Sequence, residues 1–469
     1  MIRVDPVVMP RSAAPSIPDV DVRARSRAGV ALVGTCLGFF AVLLDATIVN
    51  VSLPAIGSSL GGSLSDQQWM LNAYTLTFAA FMLNAGALGD RWGARRGYLG
   101  GLAIFVVATV ACACAPTMAV LIAARAVQGI GAAAIVPCSL ALIAHRFPEG
   151  RARARALGAW GGISAVGLAA GPVLGGVLVD SIGWRAVFLV AVPVALVSAV
   201  MVVATVRETP KRPQTRTDLR GQILAVLALA SITAAFTTTS THGWGNGRPL
   251  TFGIIGVVLA VAFVMAERTT AEAMLPLGMF KNARFSIATA IGALFNFGFY
   301  GTLFCLALYL EHTLHRSAEA AGLAILPFTV VVATCATMSG HLNARFGARL
   351  PMLVGLIAGV VGASLLATCD VSTPTGAVIA FAAIFGVIGT AMPAMTAVAL
   401  GASPLGRAAL GSAVLNGARQ TGGVLGVAVL GSVLEPDAGL PTLHVAMVIV
   451  ACGYLTAALL ATRIHTPRP

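Results

Sequence analysis

The chain of 469 residues carries little charge: Asp, Glu, Lys and Arg make up 10% of it, and lysine occurs only at Lys211 and Lys281. Neither lysine stands in a GxxxxGK[ST] pattern, so no P-loop is present and ATP is excluded as the energy source within this chain. HExxH and GxSxG are also missing, and no carboxylate pair sits at helical spacing inside an apolar run. An enzyme therefore has no visible chemistry here, and no cofactor or metal is implied. The eight cysteines (Cys36, Cys112, Cys114, Cys138, Cys305, Cys335, Cys369, Cys452) show no CxxC spacing and lie in or beside apolar segments. They read as packing residues, not as disulfides or metal ligands.

What the sequence does have is apolar surface, with 58% hydrophobic residues and 52 glycines. That excludes an ordinary soluble protein. A membrane span needs roughly 20 apolar residues. Runs of this kind fall at about 28 to 53, 68 to 88, 98 to 115, 117 to 143, 156 to 179, 184 to 206, 221 to 240, 251 to 266, 285 to 310, 320 to 339, 351 to 368, 374 to 400, 411 to 434 and 441 to 462. The first run follows Arg23, Arg25 and Arg27 and is too long for the core of a signal peptide. Fourteen helices give an all-α polytopic membrane protein.

The net charge of +13 is first a topology signal. With fourteen helices, 25 of the 30 basic residues fall on one side, Arg185, Arg248 and Arg316 fall on the other, and Arg125 and Arg419 lie within helices. The positive-inside rule then places both termini in the cytoplasm, and the basic fringe needs no nucleic acid to explain it. An internal repeat gives the same count. GALGDRWGAR (Gly86 to Arg95) recurs as GHLNARFGAR (Gly340 to Arg349), six of ten positions being identical at an offset of 254 residues. At about 32 residues per helix and loop this offset is eight helices, which fits two six-helix halves with two helices inserted between them. The expected organisation is a tail over 1–27, a first bundle over 28–206, a linker with the inserted pair over 207–284, a second bundle over 285–462 and a tail over 463–469.

Ionisable groups inside a membrane are costly and need a reason to be there. Asp45 lies about 16 Å from the outer end of the first helix and Arg125 about 12 Å from the outer end of the fourth, at 1.5 Å per residue. Their depths nearly match. They are expected to face one cavity and either to influence each other's protonation or to pair as a structural fixture. Arg419 enters from the opposite side beside Asn416 and Gln420, where it suits an anionic group or helix carbonyls. Gln128 and Asn296 complete the set of polar candidates on the substrate pathway.

The motifs LLDATIVNVSLP (Leu43 to Pro54), WMLNAYTLTFAAFMLNAGALGDRWGARR (Trp69 to Arg96), LIAARAVQGIGAAAIVP (Leu121 to Pro137), GLAAGPVLGG (Gly167 to Gly176) and NGARQTGGVLGVAVLG (Asn416 to Gly431) resemble the major facilitator superfamily. Within it the chain is similar to the 14-helix drug/proton antiporters of the EmrB/QacA type, and among those to the methylenomycin-A resistance exporters. The resemblance implies the major facilitator fold and assigns proton coupling to Asp45 and Arg125. It also implies a cytoplasmic gate at Gly86, Asp90, Arg91, Gly93, Arg95 and Arg96, with Asp90 pairing with the arginines or capping a helix. The fifth helix carries the antiporter motif, Gly167, Gly171, Pro172, Gly175 and Gly176; the glycines at 167, 171 and 175 make one smooth face and Pro172 permits a bend.

The function expected is proton-coupled export of a small hydrophobic, drug-like compound across the bacterial cytoplasmic membrane by alternating access. Its partners would be the substrate, protons and the lipid bilayer. One interior carboxylate against two guanidiniums favours a neutral or anionic substrate over a dicationic one. A proton-driven uptake symporter and a membrane sensor are the alternatives.

Overall fold

A computed structural model describes residues 20–147, 151–209, 218–242, 246–270, 275, 277–403, 408–434 and 441–464. Among the described residues the regular structure is helical, in fourteen traverses. The first half runs α1 (Val20–Leu60), α2 (Leu64–Trp92), α3 (Ala94–Ala113), α4 (Met118–Arg146), α5 (Arg151–Ser181) and α6 (Trp184–Thr205). Two helices follow, α7 (Leu219–His242) and α8 (Gly247–Thr269). The second half runs α9 (Ala283–Thr313), α10 (Ala318–Phe346), α11 (Arg349–Leu366), α12 (Thr375–Gly401), α13 (Ala408–Val433) and α14 (Pro441–Thr462). By length and hydropathy, twelve of the described segments can cross a bilayer. The other two, α2 and α13, have similar length but carry Gln67, Gln68, Asn72 and Asn84, and Asn416, Arg419 and Gln420.

The helices outrun the apolar runs at several ends. The first begins at Val20, within the segment expected as a tail, because backbone hydrogen bonding continues past the last apolar residue into polar sequence that still favours helix. Some traverses are interrupted. A break at Val190 in α6 lies three residues before Pro193, and a 3-10 turn at Val387–Thr390 in α12 lies just before Pro393. Proline has no N–H to close the helix there and its ring crowds the preceding turn. Cys114 and Cys452 are exposed on the bundle, so they are not packing residues as expected, whereas Cys36, Cys112, Cys138, Cys305 and Cys369 are buried.

Packing repeats with a shift of eight helices. In the first half α1 packs on α5 and α6, and α2 on α4; in the second α9 packs on α13 and α14, and α10 on α12. The halves meet through α5 with α10 and α2 with α13, two seams that the same shift exchanges. The inserted α7 packs on α2 and α13, and α8 packs on α7.

The glycine face of α5 lies on α1. A Cβ at Gly167 would stand 2.7 Å from the Phe40 carbonyl oxygen, one at Gly175 would stand 2.7 Å from that of Ile48, and one at Gly171 would run into Thr47. The Thr47 hydroxyl uses this closeness to donate to the Leu168 carbonyl at 3.1 Å. Pro172 and Gly176 turn instead to α10, where they meet Gly322 and Ala318, and the Asp180 carboxylate accepts from the Glu319 N–H at 2.8 Å. Toward the other ends of these two helices, Cβ positions at Gly158, Gly161, Gly162 and Gly340 have no neighbour within 4 Å among the described residues. The α5–α10 seam is thus closed at the end where α5 finishes and α10 begins.

Candidate functional site

Asp45 on α1 and Arg125 on α4 meet in the interior, each 1% exposed. Arg125 Nη1 donates to Asp45 Oδ2 at 2.6 Å and to Gln128 Oε1 at 2.6 Å. Gln128 closes the ring, its Nε2 donating to Asp45 Oδ1 at 2.9 Å. Gln128 is one turn beyond Arg125, so a single helix face supplies both partners of the carboxylate. Both carboxylate oxygens are bonded, one by a cation. A buried ion is tolerated only under such conditions.

Residues inside and outside the motifs hold this ring. Thr109 on α3 accepts from Gln128 Nε2 at 2.8 Å and donates to the Phe105 carbonyl at 2.6 Å, which fixes the amide's orientation. The guanidinium lies 4.2 Å from the Tyr74 ring centroid and 5.9 Å from that of Phe188, while its Nε donates to the Met70 carbonyl at 3.4 Å. Weakly hydrated and planar, a guanidinium gains from an aromatic face in a dry site. A small cavity of about 10 Å³ adjoins the ring, bounded by Asn50, Tyr74, Thr75 and Arg125 of the first half and by Tyr300 and Gly423 of the second. It has room for about one water and lies between the halves.

Arg419 stands on α13 against α9. Its stem fills the space left by Gly292, its guanidinium carbon is 5.8 Å from the Phe295 ring centroid, and its Nη1 donates to Asn416 Oδ1 at 3.1 Å. Its Nε has no partner among the described residues. Asn416 is itself held by the Ser412 carbonyl at 3.0 Å, Gln420 is half-buried, and Asn296 is buried on α9.

The loop between α2 and α3 is built on Gly93, whose φ of +108° suits glycine and leaves room for the carboxylate of Glu208. Glu208 follows α6 and accepts from the N–H groups of Arg95 at 2.9 Å and Arg96 at 3.1 Å, while Thr209 accepts from Ala94 at 2.8 Å. The carboxylate expected at this position was Asp90, whose side chain lies outside the described residues; the cap on α3 comes from Glu208. An acid at a helix N-terminus meets unpaired donors and the positive end of the dipole. Arg95 Nη2 also reaches the Val203 carbonyl at 3.1 Å, Arg96 lies 3.8 Å from Glu208, and Arg91 is exposed. Gly86 sits beside Pro137 of α4. Glu208 was missed because only the fold brings it to Gly93; its sequence signal is an isolated acid in the basic stretch after α6.

Among the described residues no group of three or more His, Cys, Asp or Glu is placed to hold a metal ion. The family model of the Major Facilitator Superfamily matches residues 35–277 and 288–469. The chain is 35% identical over 403 residues to the multidrug resistance protein Stp of Mycobacterium tuberculosis (86% of this chain, 75% of that protein). It is 34% identical over 410 residues to the methylenomycin A resistance protein of Streptomyces coelicolor (87% and 86%). It is 32% identical over 418 residues to the tetracenomycin C resistance and export protein of Streptomyces glaucescens (88% and 77%). A crystal structure of a POT family transporter in complex with a thioalcohol-conjugated peptide shares the fold, with a TM-score of 0.69 at 15% identity over 94% of this chain and 96% of that one. The chain is a multi-pass membrane transporter, not an enzyme, and it belongs to the major facilitator superfamily.

Proposed function

We propose that the protein exports a small, fairly hydrophobic compound in exchange for protons, by alternating access between two bundles of six helices. The observation that carries this reading is the Asp45–Arg125–Gln128 ring: the interior acid is fully engaged, and Arg125 and Tyr74 beside it border the cavity between the halves. A proton on Asp45 removes the charge that binds Arg125, so the guanidinium then needs another acceptor. Substrate arrival and proton departure restore the ring. The closed end of the α5–α10 seam lies opposite the basic loops, which the charge bias assigns to the cytoplasm, and the intact ring suits the form left after the proton has gone. Export is supported by the resistance and export functions named for the three relatives.

A neutral or anionic substrate fits better than a dicationic one. The Asp45 carboxylate is occupied by Arg125 and Gln128, while the Arg419 Nε–H has no acceptor among the described residues. A counterflow assay showing strong preference for divalent quaternary cations would contradict this. The export reading itself is tested by a drug-susceptibility panel in an efflux-deficient host. The native protein should protect against at least one compound and lower its accumulation, and Asp45→Asn should not. Greater accumulation instead of less would point to uptake, and no flux in liposomes to a sensor.

A further inference from the structure

On α2, Gln68 and Asn72 are each 0% exposed, and none of their four side-chain polar atoms has a hydrogen-bond partner among the described residues. They are four residues apart, so they share one face of the helix. That face looks across the seam between the halves: the Gln68 amide rests on Gly431 of α13, where a Cβ would collide with it. One turn before Gly431, Val427 borders the small cavity beside Arg125, as do Leu71 and Thr75 on either side of Asn72. The two amides therefore lie along the shut part of the α2–α13 seam, between the ring and the closed end of the bundle. Other buried amides nearby make at least one bond, Asn50 to the Ala46 carbonyl at 3.0 Å and Asn84 to Gln222 at 2.5 Å, although Gln67 Oε1 and Gln222 Nε2 also have no partner among the described residues. Burying an unpaired amide is unfavourable, and opening the seam to water removes that cost.

We infer that Gln68 and Asn72 are positioning residues for the far gate: their unpaired amides hold the closed seam close to balance with its open form, so that a packed apolar interface does not trap the transporter shut. This rests on the alternating-access reading. Interiors rarely leave four such atoms unpaired on adjacent turns. A seam that must open in every cycle gives a reason to keep them, because transport requires two states of similar free energy.

The test uses purified full-length protein in detergent, where sidedness does not matter. Spin labels at Ser59→Cys and His312→Cys, on a background with the native cysteines replaced, report the opening of this end by pulsed electron paramagnetic resonance. The parent should show a short and a long distance. Gln68→Leu or Asn72→Leu should shift the long-to-short ratio toward short by about 5- to 150-fold per amide. Gly431→Ala, which crowds Gln68, should shift it toward long. Melting temperature is read in parallel: the leucine variants should melt higher, whereas residues with only a packing role would melt lower at an unchanged ratio. If the leucine variants do not fold, Gln68→Ala and Gly431→Ala supply the two directions. Unchanged ratios in folded variants, or a shift toward long on removing an amide, would overturn the inference. A parent with one distance only, unmoved by Gly431→Ala, would instead count against alternating access.

Discussion

Replacing Arg125 by alanine leaves the Asp45 carboxylate 1% exposed with one described donor, the Gln128 amide at 2.9 Å. Removing one partner of a buried ion pair costs about 3–5 kcal/mol, because the remaining charge has no water to turn to. The stacking of the guanidinium 4.2 Å from Tyr74 contributes roughly 0.5–2 kcal/mol more. Asp45→Asn in the same molecule removes the orphaned charge, so only the lost packing and hydrogen bonds should remain. The two substitutions should therefore couple by about 2 kcal/mol or more, the double variant being less destabilised than the sum of the singles. Unfolding of the purified protein in mixed micelles, titrated with a denaturing detergent, measures all four corners of this cycle. Additivity within about 0.5 kcal/mol would refute the reasoning, since it would mean that the carboxylate finds other solvation when Arg125 is gone.

Glu208→Gln keeps the shape of the α3 cap but removes its charge; loss of a cap of this kind costs about 0.5–2 kcal/mol, so a thermal melt should fall modestly and transport should slow. The exposed Arg96 partner contributes little, and Arg96→Gln should melt almost as the parent does. Gly171→Val places a side chain into Thr47 and the backbone of Ile48, and overpacking of about 1–3 kcal/mol should lower the yield of folded protein. Gly158→Ala, on the same helix with nothing within 4 Å among the described residues, should be neutral or stabilising by up to about 1 kcal/mol. Equal losses from the two glycine substitutions would contradict the close approach of α1 and α5.

Much of this structure is legible in the sequence because a bilayer imposes simple rules. Apolar length locates the traverses, and the 254-residue repeat separates fourteen helices from twelve. The matched depths of Asp45 and Arg125 already pointed to one another, since helices of known rise and opposite direction leave few ways to place two such charges. What the sequence hides is whatever depends on the third helix at a contact. Thr109 reads as an ordinary apolar-helix threonine until α3 packs on α4 and turns it toward Gln128. Tyr74 belongs to the α2 motif, yet its role as a platform for Arg125 follows from the angle at which α2 meets α4. Glu208 is 113 residues from Arg95, and nothing local joins them. Gln68 and Asn72 look like residues that water would solvate, and only the closing of α13 over α2 shows that they are buried.

The central claim is that Asp45 exchanges a proton for substrate. Its most direct test is substrate-induced proton release from everted membrane vesicles, using a compound from the susceptibility panel and comparing the native protein with Asp45→Asn. The account predicts release with the native protein and none with the variant, which keeps the size of the side chain and loses its proton. Full release with Asp45→Asn would contradict it.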